Sequence, residues 1–209
     1  MKKNIIIVRG GGDIATGTIY KLHQSGYPVL VTEIANPSAI RRQVAFSEAV
    51  YEKSYTVEGV TCYFAENLAQ AYELMEHGKI PDTGIPGAIA GVAKERVIHA
   101  ECAGILYGEK KISDSVDRDE VIAYIYPKAQ GKDTSRQRGK ASAVAVKATI
   151  SGILRGLIRD GYPVTKGFKI ADIDPRESEY ENCFTISDKA RCIAGGVLEA
   201  LLHAGILPE

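Results

Sequence analysis

An excess of charge of one sign is missing: 26 lysines and arginines balance 26 aspartates and glutamates. That balance argues against a nucleic acid or a membrane surface bound mainly by charge. Long apolar runs are missing too. Nothing approaches the length of a membrane span, and the four apolar residues between Asn4 and Arg9 are too few for a signal-peptide core. Cys62, Cys102, Cys183 and Cys192 form no C-x-x-C and have no histidine at ligand spacing, which argues against structural zinc and for reduced thiols. His23, His77, His99 and His203 are equally dispersed, as core or surface histidines are. With no nucleophile paired to a base and no metal cluster, no residue takes a catalytic role. These absences lead to the expectation of a soluble cytoplasmic protein. Its 209 residues suffice for one domain or two small ones.

What is present starts at once. Ile5-Ile6-Ile7-Val8 reads as a short buried parallel strand, followed directly by Gly10-Gly11-Gly12-Asp13-Ile14-Ala15. The glycines fit G-x-G-x-x-A on Gly10, Gly12 and Ala15. A helix is expected from Asp13 to about Gln24, ending at Ser25-Gly26, with a second strand over Val29–Thr32. Glu33 closes that strand, at roughly the 20-residue distance the dinucleotide fingerprint asks of its ribose-binding acid. Glycines let the backbone approach a pyrophosphate, which rests on the free N–H groups and positive dipole end of the helix. Gly10, Gly11, Gly12, Ile14 and Ala15 are therefore candidates for a phosphate-bearing ligand, and Glu33 for a ribose hydroxyl. The alternative is that the glycines only permit close helix–strand packing. Asp13 would repel phosphate unless paired or turned away.

Asn36-Pro37 looks like a helix entry, with Ala39, Ile40, Val44 and Ala49 on one apolar face. Arg41 and Arg42 on that segment either hold an adjacent anion through forked hydrogen bonds or form a solvated helix face. A hairpin or short strand is expected over Val57–Phe64 and a helix from Ala65 to about His77. Pro81, Gly84, Pro86 and Gly87 then read as a linker, dividing an α/β domain over 1–80 from a second domain over 81–209.

The second part repeats itself. Ala100–Ile125 laid over Ala148–Ile173, an offset of 48, shares the pattern A-x-x-x-G-I-L-x-G, then V, then I-A-x-I: nine identities in 26 positions, where chance gives about one or two. One copy cannot bury its apolar face alone, so two copies are expected to pack as one sandwich. The pattern resembles the halves of barrel-sandwich carrier domains. The join over Tyr126–Val146 is long and basic (Lys128, Lys132, Arg136, Arg138, Lys140) and has no M-K-M, which favours a scaffold or ligand clamp over a swinging-arm carrier.

Toward the end, Asp172, Asp174, Arg176, Asp188, Lys189 and Arg191 stand close in sequence, either as a polar site near the domain junction or as salt bridges and caps. Ser187 or Asp188 is a natural N-cap for a helix with Ile193, Val197, Leu198, Leu201 and Leu202 as its apolar stripe and Gly205 as its stop. Gly195 and Gly196 inside that helix cost about 1 kcal/mol each against alanine, which predicts a close approach to the backbone there. The fold expected is thus α/β: a truncated Rossmann-like N-terminal part, a β-rich barrel-sandwich-like repeat domain and a C-terminal helix.

Several blocks together resemble the YqeB family of accessory proteins for selenium-dependent molybdenum hydroxylases, relatives of the XdhC/CoxI maturation factors. They are G-G-G-D-I-A-T-G, T-E-I-A-N-P-S-A-I-R-R-Q-V-A-F-S-E-A-V-Y-E, V-E-G-V, D-T-G-I-P-G, R-V-I-H-A, G-I-L-R-G-L-I-R-D-G, D-I-D-P-R and S-D-K-A-R-C-I-A-G-G-V-L-E-A. The resemblance implies a role in maturing a xanthine-dehydrogenase-like enzyme, by handling its molybdenum cofactor or installing selenium. Its ligand would be a molybdopterin-type nucleotide or NAD(P), and its partners the hydroxylase or other maturation factors. The family carries a further stretch before D-T-G-I-P-G, whereas here Lys79-Ile80-Pro81 runs directly into Asp82-Thr83-Gly84. The α/β part is then half a dinucleotide fold, and a homodimer is one way to supply the rest. Two alternatives stand beside this: an NAD(P)-dependent oxidoreductase or sensor, and a non-catalytic docking module.

Overall fold

The computed structural model describes residues 4–77, 80–82, 96–127 and 143–208. Among the described residues helix and sheet are mixed and no barrel closes. Two compact units result, one holding the described residues up to 82 and from 184 onward, the other those from 96 to 183. Gly84, Pro86, Gly87 and the basic join from Lys128 to Lys140 lie outside the described residues.

In the first unit, β1 (Ile6–Arg9) leads through the glycine turn into α1 (Asp13–Gln24) and on to β2 (Val29–Thr32). Two 3-10 turns, Arg42–Val44 and Phe46–Glu48, run into the four-residue α2 (Ala49–Glu52). Here the structure departs from the expected helix entry at Asn36-Pro37. Val44 through Ala49 are buried without interruption, which a helix with one apolar face cannot do, so the chain passes through the core irregularly. Next come β3 (Ser54–Val57) and β4 (Val60–Phe64), joined by Glu58 and Gly59 at φ 47° and 80°. Two successive left-handed residues match the tight hairpin turn that follows the twist of the strands.

Helix α3 (Leu68–Glu76) starts on Asn67, whose side chain accepts from the Gln70 N–H, and is followed by β5 (Ile80–Asp82). Pro81 therefore lies in a strand rather than opening a linker. The sheet order is β1-β2-β5-β4-β3, parallel except for β3.

The second unit holds two four-stranded sheets. One is β10 (Val144–Lys147), β9 (Val121–Tyr126), β7 (Gly104–Gly108) and β12 (Pro163–Val164). The other is β6 (Val97–His99), β13 (Lys169–Asp174), β11 (Gly152–Leu157) and β8 (Ser115–Val116). Each sheet takes its two inner strands from one sequence copy and one outer strand, β12 or β8, from the other, while its remaining outer strand, β10 or β6, precedes a copy. A single apolar cluster joins them, with Leu106, Ile122, Ile125, Leu154, Ile170 and Ile173 fully buried. Gly104 passes so close to Tyr126 that a Cβ would sit 2.5 Å from its carbonyl oxygen, and Gly152 passes the Asp174 carbonyl in the same way. Glycines and carbonyls alike are offset by 48 positions.

Helix α4 (Asp188–His203) is capped by Ser187, whose Oγ accepts from the Ala190 N–H. It belongs to the first unit, not to the domain over 81–209 in which the sequence places it. Its buried residues are Ala190 and Ala194, with Val197, Leu198 and Leu201 packed beside them, while Ile193 and Leu202 are exposed. The expected close approach at Gly195 and Gly196 is absent, since nothing lies within 4 Å of a Cβ at either. It occurs instead at Gly17 of α1, where a Cβ would sit 2.8 Å from the Ala190 Cβ and 3.0 Å from its backbone carbon and oxygen. Gly17→Val should therefore lower stability by about 1–3 kcal/mol through overpacking. Gly196→Ala should raise it by up to about 1 kcal/mol. Urea unfolding midpoints of the two variants check both signs.

Candidate functional site

The turn between β1 and α1 is built from backbone groups. Gly10 sits at φ 91°, a conformation that favours glycine, and its N–H donates to the Thr32 carbonyl at 2.7 Å. Gly12 is the N-cap residue of α1 and has no side chain to cap it. Its carbonyl takes the first helical bond, from Thr16 N–H at 2.8 Å. Helix geometry leaves the N–H groups of Asp13, Ile14 and Ala15 without intrahelical acceptors, at the positive end of the helix dipole. Only the backbones of Ile14 and Ala15 are candidates for a ligand, because their side chains pack against the core.

Glu33 is brought to the turn but is engaged with it. Its Oε2 accepts from the Gly11 N–H at 2.7 Å, and its Oε1 from the Ile34 N–H at 2.9 Å. The carboxylate is 8% exposed. It thus occupies an N–H that the fingerprint reading assigns to phosphate. The other side of the turn is held by residues that carried no sequence signal. Thr16 Oγ1 donates to the Gly11 carbonyl at 3.0 Å and accepts from Phe46 N–H at 2.9 Å. Ser47 N–H donates to the same Gly11 carbonyl at 2.9 Å. The Ser47 hydroxyl is buried with no hydrogen-bond partner among the described residues.

The two arginines divide. Arg41 is 9% exposed and reaches the first turn of α1, with Nη1 3.4 Å from Asp13 Oδ2. Its Nη2 donates to the Thr185 carbonyl at 3.2 Å. This pairing answers the repulsion expected of Asp13. Arg42 lies 3.9 Å from Glu48 Oε2, a carboxylate buried to 2% exposure. The structure therefore brings Gly10, Gly11, Gly12, Glu33 and Arg41 to one turn and engages Arg42 with Glu48.

No family model matches the sequence. Among curated proteins, the chain is 31% identical to the uncharacterized protein YqeB of Escherichia coli strain K12, over 279 aligned positions covering 97% of this chain. The match supports the YqeB family. The chain spans about half the length of YqeB, 48%. Among solved structures, a product-bound ectoine utilization protein from Ruegeria pomeroyi aligns over 81% of this chain and 52% of its own, at 11% identity and a TM-score of 0.32. An aspartoacylase family protein from Mesorhizobium loti aligns over 82% and 51%, at 15% identity and a TM-score of 0.31.

The late charges of this YqeB-like sequence separate into two groups. Arg191 Nη2 donates to both oxygens of Glu58 at 2.6 Å, and Glu58 Oε1 also accepts from Ile186 N–H at 2.8 Å. Asp174 is 1% exposed and meets Arg176 through Nε at 3.0 Å and Nη2 at 2.9 Å. Those Arg176 bonds hold the Asp174 carboxyl below the usual carboxylate range, more than offsetting its burial, with Arg96 adding a smaller pull.

Two outcomes follow. Thr16→Val leaves the buried Phe46 N–H without its acceptor and should cost about 1–3 kcal/mol, read as a lowered denaturation midpoint. Because the folded Asp174 has the lower pKa, its contribution is full above the unfolded value of about 4 and is lost as pH falls through the folded value. Unfolding free energy measured across acidic pH should fall less steeply in Asp174→Asn than in the native chain.

Proposed function

We propose that this chain is a cytoplasmic accessory factor in the maturation of a selenium-dependent molybdenum hydroxylase. Its first unit acts as a shortened Rossmann-like half and its second as a repeated sandwich scaffold. The observation that carries the reading is the run of YqeB-type blocks along the chain, supported by 31% identity over 97% of its length. The shortened form is supported by the alignment itself, whose 279 positions exceed the 209 residues of this chain.

At the site, the start of α1 takes a phosphate-bearing ligand, a molybdopterin-type nucleotide or NAD(P). The uncapped N–H groups at Asp13, Ile14 and Ala15 receive the anion. Arg41 exchanges Asp13 for the ligand, since a guanidinium prefers the more highly charged oxyanion within reach. Glu33 acts by fixing the glycine turn, with both oxygens already bonded to backbone N–H groups. A second reading, a docking module without a small molecule, is favoured by that same saturation of Gly11 by Glu33, Thr16 and Ser47.

Native mass spectrometry of the chain, expressed with molybdate and selenite, separates these readings. A pterin or pterin-dinucleotide adduct, lost in Arg41→Gln, is the expected result. A nicotinamide nucleotide in its place would redirect the reading to redox chemistry or sensing. Bare chain, even after the nucleotides are added back, would overturn ligand handling and leave docking. In cells, loss of the chain should lower hydroxylase activity without lowering hydroxylase protein.

A further inference from the structure

Three arginines, Arg96, Arg155 and Arg176, surround the Asp174 carboxylate in the second unit. Arg176 takes the carboxylate in a two-point grip, at 3.0 and 2.9 Å. Arg96 and Arg155 reach the same Oδ2 only at 3.4 and 3.7 Å. Arg96 has one further bond, from Nε to the Ile173 carbonyl at 3.2 Å. Arg155 is 16% exposed, and its buried Nε has no acceptor among the described residues. Two guanidinium groups therefore stand as neighbours beside an aspartate already engaged with a third. Asp174 Oδ2 lies within reach of both, and the three arginines with the one aspartate carry net positive charge, which a further anion would offset.

The sandwich does not require this arrangement. Strand β11 meets β13 in the register Ile153↔Asp174 and Leu154↔Ile173, and β7 meets β9 in the register Ile105↔Tyr126 and Leu106↔Ile125. These pairs are equivalent at the 48-residue offset, but β11 then shifts register at Arg155, between Leu154 and Gly156, where β7 runs on through Tyr107 without a shift. The counterparts of Arg155 and Asp174 are thus Tyr107 and Tyr126, which pack edge to face with ring centroids 5.7 Å apart. Where one copy closes this position with an aromatic pair, the other places an arginine and a buried carboxylate. The counterpart of Arg96 is Val144. A structural ion pair would need one cation for its one carboxylate. The additional arginines fit a different purpose.

We propose that Arg96 and Arg155, oriented by the Asp174–Arg176 pair, form a binding site for a phosphate oxyanion, either inorganic or the terminal group of an ester. Arg96 is 40% exposed and Arg155 16%, so one donor is open to solvent and the other sits deeper, giving the anion two guanidinium partners at different depths. Asp174 keeps the arginines oriented without titrating, because its carboxyl stays ionised throughout the neutral range. The site is separate from the start of α1 and goes beyond the function proposed above.

Isothermal titration of the full chain with inorganic phosphate, at constant ionic strength and at a pH that favours the dianion, tests this. Saturable binding is expected, weakened about tenfold or more by Arg96→Gln, as fits loss of a charge-assisted bond. Arg118→Gln, an arginine of the same unit outside the group, should leave it unchanged. The double variant Arg155→Tyr/Asp174→Tyr copies the residues of the other sequence copy and should abolish binding while keeping the native β-sheet circular dichroism. Absence of saturation in the native chain would overturn the proposal. So would equal losses in Arg96→Gln and Arg118→Gln, or loss only in Arg41→Gln.

Discussion

A carboxylate taken out of water must find donors close by, and Glu33 finds them in the backbone N–H groups of Gly11 and Ile34. Hydrogen bonds to a charged group contribute about 1.5–3 kcal/mol each, enough to fix a turn that glycine would otherwise leave loose. The end of β2 is thereby tied to the entry of α1. With Gly11 in place, its carbonyl can collect Thr16 and Ser47, and Thr16 can hold Phe46. The irregular segment after β2 is drawn under the helix through these bonds, and Arg41 arrives beside Asp13 as a result. Most of the candidate site in the first unit follows from the need to satisfy this one acid.

The second unit solves a different problem, burying one apolar cluster between two four-stranded sheets. Exchange of outer strands between copies gives each sheet members of both, so the apolar cluster is shared from the start. The crossings are tight enough to demand glycine, at Gly104 and Gly152 alike. Conservation of shape between the copies makes their chemical differences readable. The Tyr107–Tyr126 position is aromatic packing on a regular strand pair, whereas Arg155–Asp174 is charge at a register shift.

Much of this was legible in local sequence. Strand β1, helix α1 with its stop at Ser25-Gly26, the β3–β4 hairpin and the Ser187 cap each rest on short-range signals: β-branched runs, capping side chains and turn residues. Long-range packing was not legible. The pattern around Ala39 and Val44 suggested one helical face, but six consecutive residues are buried from several sides. The close contact expected at Gly195 and Gly196 lies at Gly17, because the helix interface is defined by Ala190 on the partner helix. Glu33 was recognised by its spacing, but a spacing says nothing of which donor an acid will meet first. The partners of Gly11 on the far side, Thr16 and Ser47, have no motif at all.

Helix α4 covers α1 although the whole second unit lies between them in sequence. During synthesis, α1, β1 and β2 emerge long before residues 188–203, so their apolar face waits uncovered while the sandwich is being made. Contacts of such sequence separation are slow to close, and exposed apolar faces in growing chains invite aggregation. The first unit is therefore the one most in need of chaperone protection on the ribosome.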